Sequence, residues 1–157
     1  PRSMKTMYEA TPGIDGPFVF APMPKPLAEC TVALMTSAGI YLKDSQEPFD
    51  EDREWREPTW GDPTFRVIPR AVRQEQIGCS HLHINRTDLL EDVNVVLPLR
   101  AFSELEREGT IGKLADEHYS FMGYQQRGLH DWRTTQGPEL AERLKEHGVD
   151  VLLLAPS

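Results

Sequence analysis

Pro138-Glu139-Leu140-Ala141-Glu142-Arg143-Leu144-Lys145-Glu146-His147-Gly148 runs straight into Val149-Asp150-Val151-Leu152-Leu153-Leu154, and the reading of this stretch decides the fold. Proline suits the first position of a helix, where its missing N–H has no helical partner. Leu140, Ala141 and Leu144 then recur at helical spacing as an inward face, Glu139 stands four residues before Arg143, and Gly148 closes the helix just past its end. The continuous apolar run after it has the pattern of a strand buried on both faces. A helix joined to such a strand across one glycine predicts an α/β fold of three layers, with a mainly parallel sheet flanked by helices.

Working outward, Pro98 opens a second expected helix in which Phe102 and Leu105 share a face, Arg100 and Glu104 sit four apart, and Gly109 ends the run. The apolar run Thr31-Val32-Ala33-Leu34-Met35, continuing through Thr36-Ser37-Ala38 to Gly39, reads as a buried strand entering a loop. Ile77-Gly78-Cys79-Ser80-His81-Leu82-His83-Ile84 reads as another strand. Two segments lack any period. Residues 1–26, rich in Pro and Gly, read as an extended arm, with Pro1 to Ser3 before Met4 left out of the fold reading. Residues 43–76 hold Pro48, Pro58, Pro63 and Pro69 and read as a long loop pinned by Phe49, Trp55, Trp60 and Phe65, either a lid or interface or a plain surface excursion. The whole is expected to be a single α/β domain over residues 1–157.

The chain has 157 residues, 39% hydrophobic and 27% charged, which is the composition of a water-soluble globular protein with one sizeable core. Its formal net charge of −8 repels a phosphate backbone, so nucleic acid is not an expected partner. Nor is a membrane, since no apolar run approaches the ~20 residues that a spanning helix requires. Cys30 and Cys79 are too few for a disulfide framework, and a reducing cytoplasm is the expected setting.

Alternation along an extended strand would put Cys79, His81 and His83 on one face. That set could ligate zinc or another transition metal, polarise a substrate, or simply be hydrogen-bonded to a neighbouring loop. The cofactor question therefore stays open between a metal at these residues and none in this chain. Asn85, Asp88, Asp92 and Asn94 follow, where open α/β sheets bind ligands and where such residues also cap turns. His118, in His118-Tyr119-Ser120-Phe121-Met122-Gly123-Tyr124, suits a pocket or a core edge equally; His130 and His147 read as surface residues. G-x-S-x-G, G-x-G-x-x-G, a Walker loop, C-x-x-C and H-E-x-x-H are all missing from the sequence, which removes support for the common hydrolase, dinucleotide and zinc-protease readings.

Several stretches, in order, resemble the selenoprotein B group of glycine, sarcosine, betaine and D-proline reductases. They are Thr36-Ser37-Ala38-Gly39, Gln46-Glu47-Pro48-Phe49-Asp50, Gly61-Asp62-Pro63-Thr64-Phe65-Arg66-Val67-Ile68-Pro69, Ser80-His81-Leu82-His83-Ile84-Asn85, Glu91-Asp92-Val93-Asn94-Val95-Val96-Leu97-Pro98-Leu99, Gly109-Thr110-Ile111-Gly112, His118-Tyr119-Ser120-Phe121-Met122-Gly123 and Gly148-Val149-Asp150-Val151-Leu152-Leu153-Leu154-Ala155-Pro156. The resemblance implies reductive cleavage of a carbon–nitrogen bond in a small amino acid or amine. A thiolate or selenolate attacks the α-carbon and is regenerated by a thiol reductant. It further implies that this nucleophile follows the final strand, beyond Ser157, so that the chain is expected to lack a C-terminal segment. His81, His83, Asn85 and His118 are the residues expected to shape the catalytic pocket, and a partner subunit or a homo-oligomer is expected. The sequence has no evident self-cleaving site for the pyruvoyl group that partner subunits supply in several such reductases. Two other readings stand beside this one: a metal- or small-ligand-binding protein using Cys79, His81 and His83, and a non-catalytic assembly partner using the Trp55 and Trp60 loop.

Overall fold

The computed structural model describes residues 21–57, 59–125 and 127–157; the first 20 residues of the expected arm lie outside this description. Strand β1, Thr31–Thr36, occupies the middle of the sheet, and Val32, Ala33, Leu34, Met35 and Thr36 are all buried. Burial on both faces is why this segment is apolar at consecutive positions. On one side β1 pairs in parallel with β7, Val151–Ala155, in the register Val32↔Val151 to Thr36↔Ala155. On the other side it pairs in parallel with the short β5, Lys113–Leu114, and then with β6, Glu117–Phe121. Strand β3, Phe65–Pro69, adds an antiparallel edge to β6, from Phe65↔Phe121 to Pro69↔Glu117. The sheet is thus mixed but mainly parallel, as expected.

Each face carries its own layer. Val32, Leu34, Ile68 and Leu114 pack against Leu89 of helix α2, Arg86–Glu91, and against Leu99, Phe102 and Leu105 of helix α3, Leu99–Arg107. The opposite face sets Ala33, Met35 and Tyr119 against Leu140 and Leu144 of helix α5, Gly137–Glu146. Helix α3 begins after Pro98 and ends where Gly109 takes φ 73° and Thr110 N–H donates to the Leu105 carbonyl, as its sequence predicts.

Several expectations are corrected. The 43–76 segment holds helix α1, Glu51–Arg56, and strand β3. The helix is too short to show a period, yet the Asp50 carboxylate caps it by accepting from Arg53 N–H. Pairing with β6 makes Phe65–Pro69 a strand, with Pro69 at its end, where a missing donor is tolerated. The strand expected over 77–84 stops at Cys79: β4, Ile77–Cys79, pairs antiparallel with β2, Ile40–Leu42, in a separate small sheet. The chain turns after it because Asn85 caps α2, its Oδ1 accepting from Thr87 N–H. Pro138 stands in the first turn of α5, as expected, though the helical path does not start there. The helical path begins with α4, Leu129–Asp131, and passes through a π turn, Trp132–Gln136, which absorbs the bond that proline cannot make. Within α5, Ala141 is exposed, and Arg143 pairs with Glu117 of β6 at 2.7 Å in place of Glu139. Finally β7 is a strand but not a buried one: Leu153 and Leu154 are 39% and 63% exposed, because among the described residues β7 pairs with β1 alone.

Candidate functional site

The carboxyl ends of β1, β6 and β7 meet at one end of the sheet. Ser37, just after β1, donates its N–H to the Ala155 carbonyl at 3.3 Å. Its Oγ accepts from Ser157 N–H at 2.8 Å, while the Thr36 and Ser157 hydroxyls lie 3.4 Å apart. Gly39 follows in a left-handed conformation, φ 63°, and a Cβ there would collide with the Ser80 carbonyl and the Met122 sulfur. Only glycine lets these chains approach so closely. Gly39 N–H donates to the Phe121 carbonyl, and Ser80 N–H to the Gly39 carbonyl at 2.9 Å, which ties the turn after β4 to the end of β1. Ser120 completes this frame by accepting at Oγ from Ile40 N–H at 2.8 Å.

His81 and His83 stand on that turn. His81 is 5% exposed, and burial, with the nearby His83 and Arg86 charges, pushes its pKa down to about 4. Its Nδ1 accepts from His83 N–H at 3.2 Å, so at neutral pH the ring proton sits on Nε2. The exposed His83 ring lies edge-on to His81, 6.1 Å between centroids, and to Tyr124, 6.4 Å. Tyr124 follows β6 directly after Gly123, whose Cα is closely faced by the Ser37 side chain. Thr36, Ser37, His81, His83, Tyr124 and Ser157 are therefore gathered at one end of the sheet.

Cys79 faces elsewhere. Its thiol donates to the Ala38 carbonyl at 3.3 Å, and burial pushes its pKa up to about 11, the reverse of what a reactive thiolate needs. Cys79 and Ser80 border an open cleft of 380 Å³ whose other walls include Tyr41, Phe49, Glu51 and Arg86; Arg86 pairs with Glu51 at 2.8 Å. Because the strand ends at Cys79, alternation does not carry His81 and His83 onto its face. Among the described residues no group of three His, Cys, Asp or Glu side chains is arranged to hold a metal ion.

Asn85 is exposed at the start of α2, its Oδ1 engaged as the cap. His118 lies away from the other histidines, fully buried within β6, where its Nδ1 accepts from Leu34 N–H at 3.1 Å. Asp92 and Asn94 border a different cavity, of 520 Å³, near Arg70 and the amino end of β6. There Asp92 accepts from Asn94 N–H and Arg100, and Asn94 Oδ1 accepts from Arg100 N–H, so both serve turn geometry. Exposed Asp88 sits in the first turn of α2. Sequence reasoning did not single out Ser37, Ser120 or Arg86; the small-residue run Thr36-Ser37-Ala38-Gly39 was the available signal for the first.

A buried acid pair braces the site from the α1 side. Glu54 and Asp62 are each 7% exposed, Asp62 N–H donates to Glu54 Oε1, and burial, with the charges of Asp62, Glu51 and Asp50, raises the Glu54 pKa to about 7. Gln125 Nε2 donates to the Asp62 and Met122 carbonyls at 2.6 and 2.8 Å, clamping the acid loop onto the segment that carries Tyr124.

Comparison with known proteins gives a consistent picture. The family described as Glycine/sarcosine/betaine reductase selenoprotein B (GRDB) matches residues 18–157. D-proline reductase subunit gamma of Acetoanaerobium sticklandii is 35% identical over 144 residues, which is 90% of this chain and 54% of that protein. Glycine reductase complex component B subunit gamma of Carboxydothermus hydrogenoformans is 28% identical over 85% of the chain and 29% of its own length. Betaine reductase complex component B subunit beta of Peptoclostridium acidaminophilum is 27% identical over 83% of the chain and 28% of its own length. The chain thus spans about half of the first relative and under a third of the other two. No solved structure matches it. No helix among the described residues is long and apolar enough to cross a membrane. With the family pattern running through β1, the histidine turn, β6 and β7, the chain belongs to the glycine/sarcosine/betaine reductase selenoprotein B family.

Proposed function

We propose that the chain is a reductase subunit that helps cleave a carbon–nitrogen bond of a small amino acid or amine, using a thiolate or selenolate carried after Ser157. The observation behind this reading is the gathering of Thr36, Ser37, His81, His83 and Ser157 where β1, β6 and β7 finish. A residue soon after Ser157 would enter beside Ser37. There the carbon–sulfur or carbon–selenium bond forms as the carbon–nitrogen bond breaks, and the leaving amine takes up a proton. A thiol reductant then supplies the two electrons that release the carbon product and restore the anion.

His81 is neutral at physiological pH, so its role is that of a fixed Nε2–H donor suited to a substrate carboxylate. His83, exposed beside it, is the group able to pass a proton to the departing amine. Alkylation mapping of the full-length polypeptide is the first test: a reactive residue after Ser157 is expected, and finding none would sink the mechanism. His81→Gln and His83→Gln are each expected to lower kcat/KM by roughly 10²-fold or more. Unchanged turnover in the double variant would remove the histidines from the pocket.

A partner surface is favoured by one further observation: Trp55 on α1 is 77% exposed, which a large aromatic side chain rarely is unless it meets something. Trp55→Ala is expected to weaken capture of partner subunits while leaving the thermal midpoint unchanged. Equal capture by both proteins would dismiss that surface.

A further inference from the structure

Strand β7 reads Val151-Leu152-Leu153-Leu154-Ala155, without a charge or a proline, and its outer edge has no strand beside it among the described residues. An apolar parallel edge is an invitation to pairing, and proteins normally cover or charge it. Beside it, on the face that carries α5, lies an apolar groove of 430 Å³ lined by Met35, Phe121, Leu129, Trp132 and Leu154, with Arg133 at its border.

We propose that this edge and groove seat one helix–strand unit of the same polypeptide, lying after Ser157, with its strand on β7 and its helix in the groove. The handedness of the existing crossovers argues for it. From β1 the chain reaches β6 by way of α2 and α3 on one face; from β6 it crosses back over β1 to β7 by way of α4 and α5 on the other. Reversing both direction and face keeps one hand, as parallel crossovers do. A further step outward in that hand lays its helix on the α5 face, over the groove, and its strand against the free edge of β7. The length required exists in the family, since the chain spans only 54% of the D-proline reductase relative. The inference rests on the proposed function only in placing further polypeptide after Ser157.

The test uses the full-length polypeptide, without partner subunits, at concentrations where light scattering reports a monomer. A photo-crosslinking residue in place of Arg133 is expected to join to a peptide after Ser157 within the same molecule. Leu154→Asp is expected to lower the thermal midpoint by roughly 5–10 °C, while Leu90→Asp, at a site 45% exposed on α2, leaves it nearly unchanged. Crosslinks only between molecules, crosslinks only to an added subunit, a Leu154→Asp variant as stable as Leu90→Asp, or a gene product ending at Ser157 would each overturn the proposal. A covered β7 in a protein without a reactive residue would leave this inference standing and the mechanism fallen.

Discussion

His118 bridges a gap in the sheet with a side chain. The registers Val32↔Leu114 and Met35↔Tyr119 differ by two residues, so the β5–β6 junction leaves Leu34 N–H without a backbone acceptor, and imidazole Nδ1 takes that place. Replacing His118 with Ala orphans a buried donor and opens a cavity, for an expected loss of about 3 kcal/mol in chemical denaturation. Burial, with the Arg70 charge, lowers its pKa to about 4 against 6.5 in the unfolded chain. The folded state therefore binds fewer protons, and the stability held above pH ~6.5 is lost as pH falls toward 4. Glu54 works in the opposite sense: its folded pKa of about 7 lies above the ordinary 4.5, so stability is fully present below that value and falls as pH rises through 7. The two slopes oppose each other in one window. Glu54→Gln should thus remove a loss on the order of 2 kcal/mol near neutrality, seen as slower hydrogen exchange in residues 50–64 at pH 8. If exchange there is no slower than in the parent chain, the carboxyl is not the strained group.

At the scale of elements, the turns matter more than the strands they join. Gly39 and Gly61 each leave no room for a Cβ, the first against Ser80 and Met122, the second against the Tyr124 backbone. Gly39→Ala combines that collision with a positive φ, so it is expected to cost more than about 3 kcal/mol, mostly through displacement of the histidine turn. The check is whether the variant, if folded, loses substrate turnover before it loses its melting transition. The cap at Asp50 is a milder case: Asp50→Ala should cost about 1 kcal/mol and release α1. Such elements were hard to read from sequence because α1 has six residues, no apolar stripe and a cap that only tertiary contacts make worth forming. By contrast β1, α3 and the closing glycines at 109 and 148 were legible, since their signals are local: apolar runs, helical spacing and left-handed glycine.

For the molecule as a whole, the parallel sheet sets the site, since three strands that run the same way must finish at the same end. The histidine turn was legible as a cluster, but for a different reason from the one that holds it there. Strand alternation predicted a shared face for Cys79, His81 and His83, whereas the Gly39–Ser80 contact places the two histidines and the half-buried thiol donates to the Ala38 carbonyl. Local patterning by itself determined the α/β class, the buried central strand, two helices and the family-like stretches, because side-chain spacing and glycine conformations are properties of short segments. Tertiary structure alone decided that Phe65–Pro69 joins the sheet, that His118 mends a ladder, and that β7 is an edge. It alone brought Ser37, His83 and Ser157 to one end. Those outcomes depend on which segment lies beside which, and pairing across 80 or more residues, as between Ile40 and Ser120 or Ser37 and Ser157, leaves no periodicity in the chain to read.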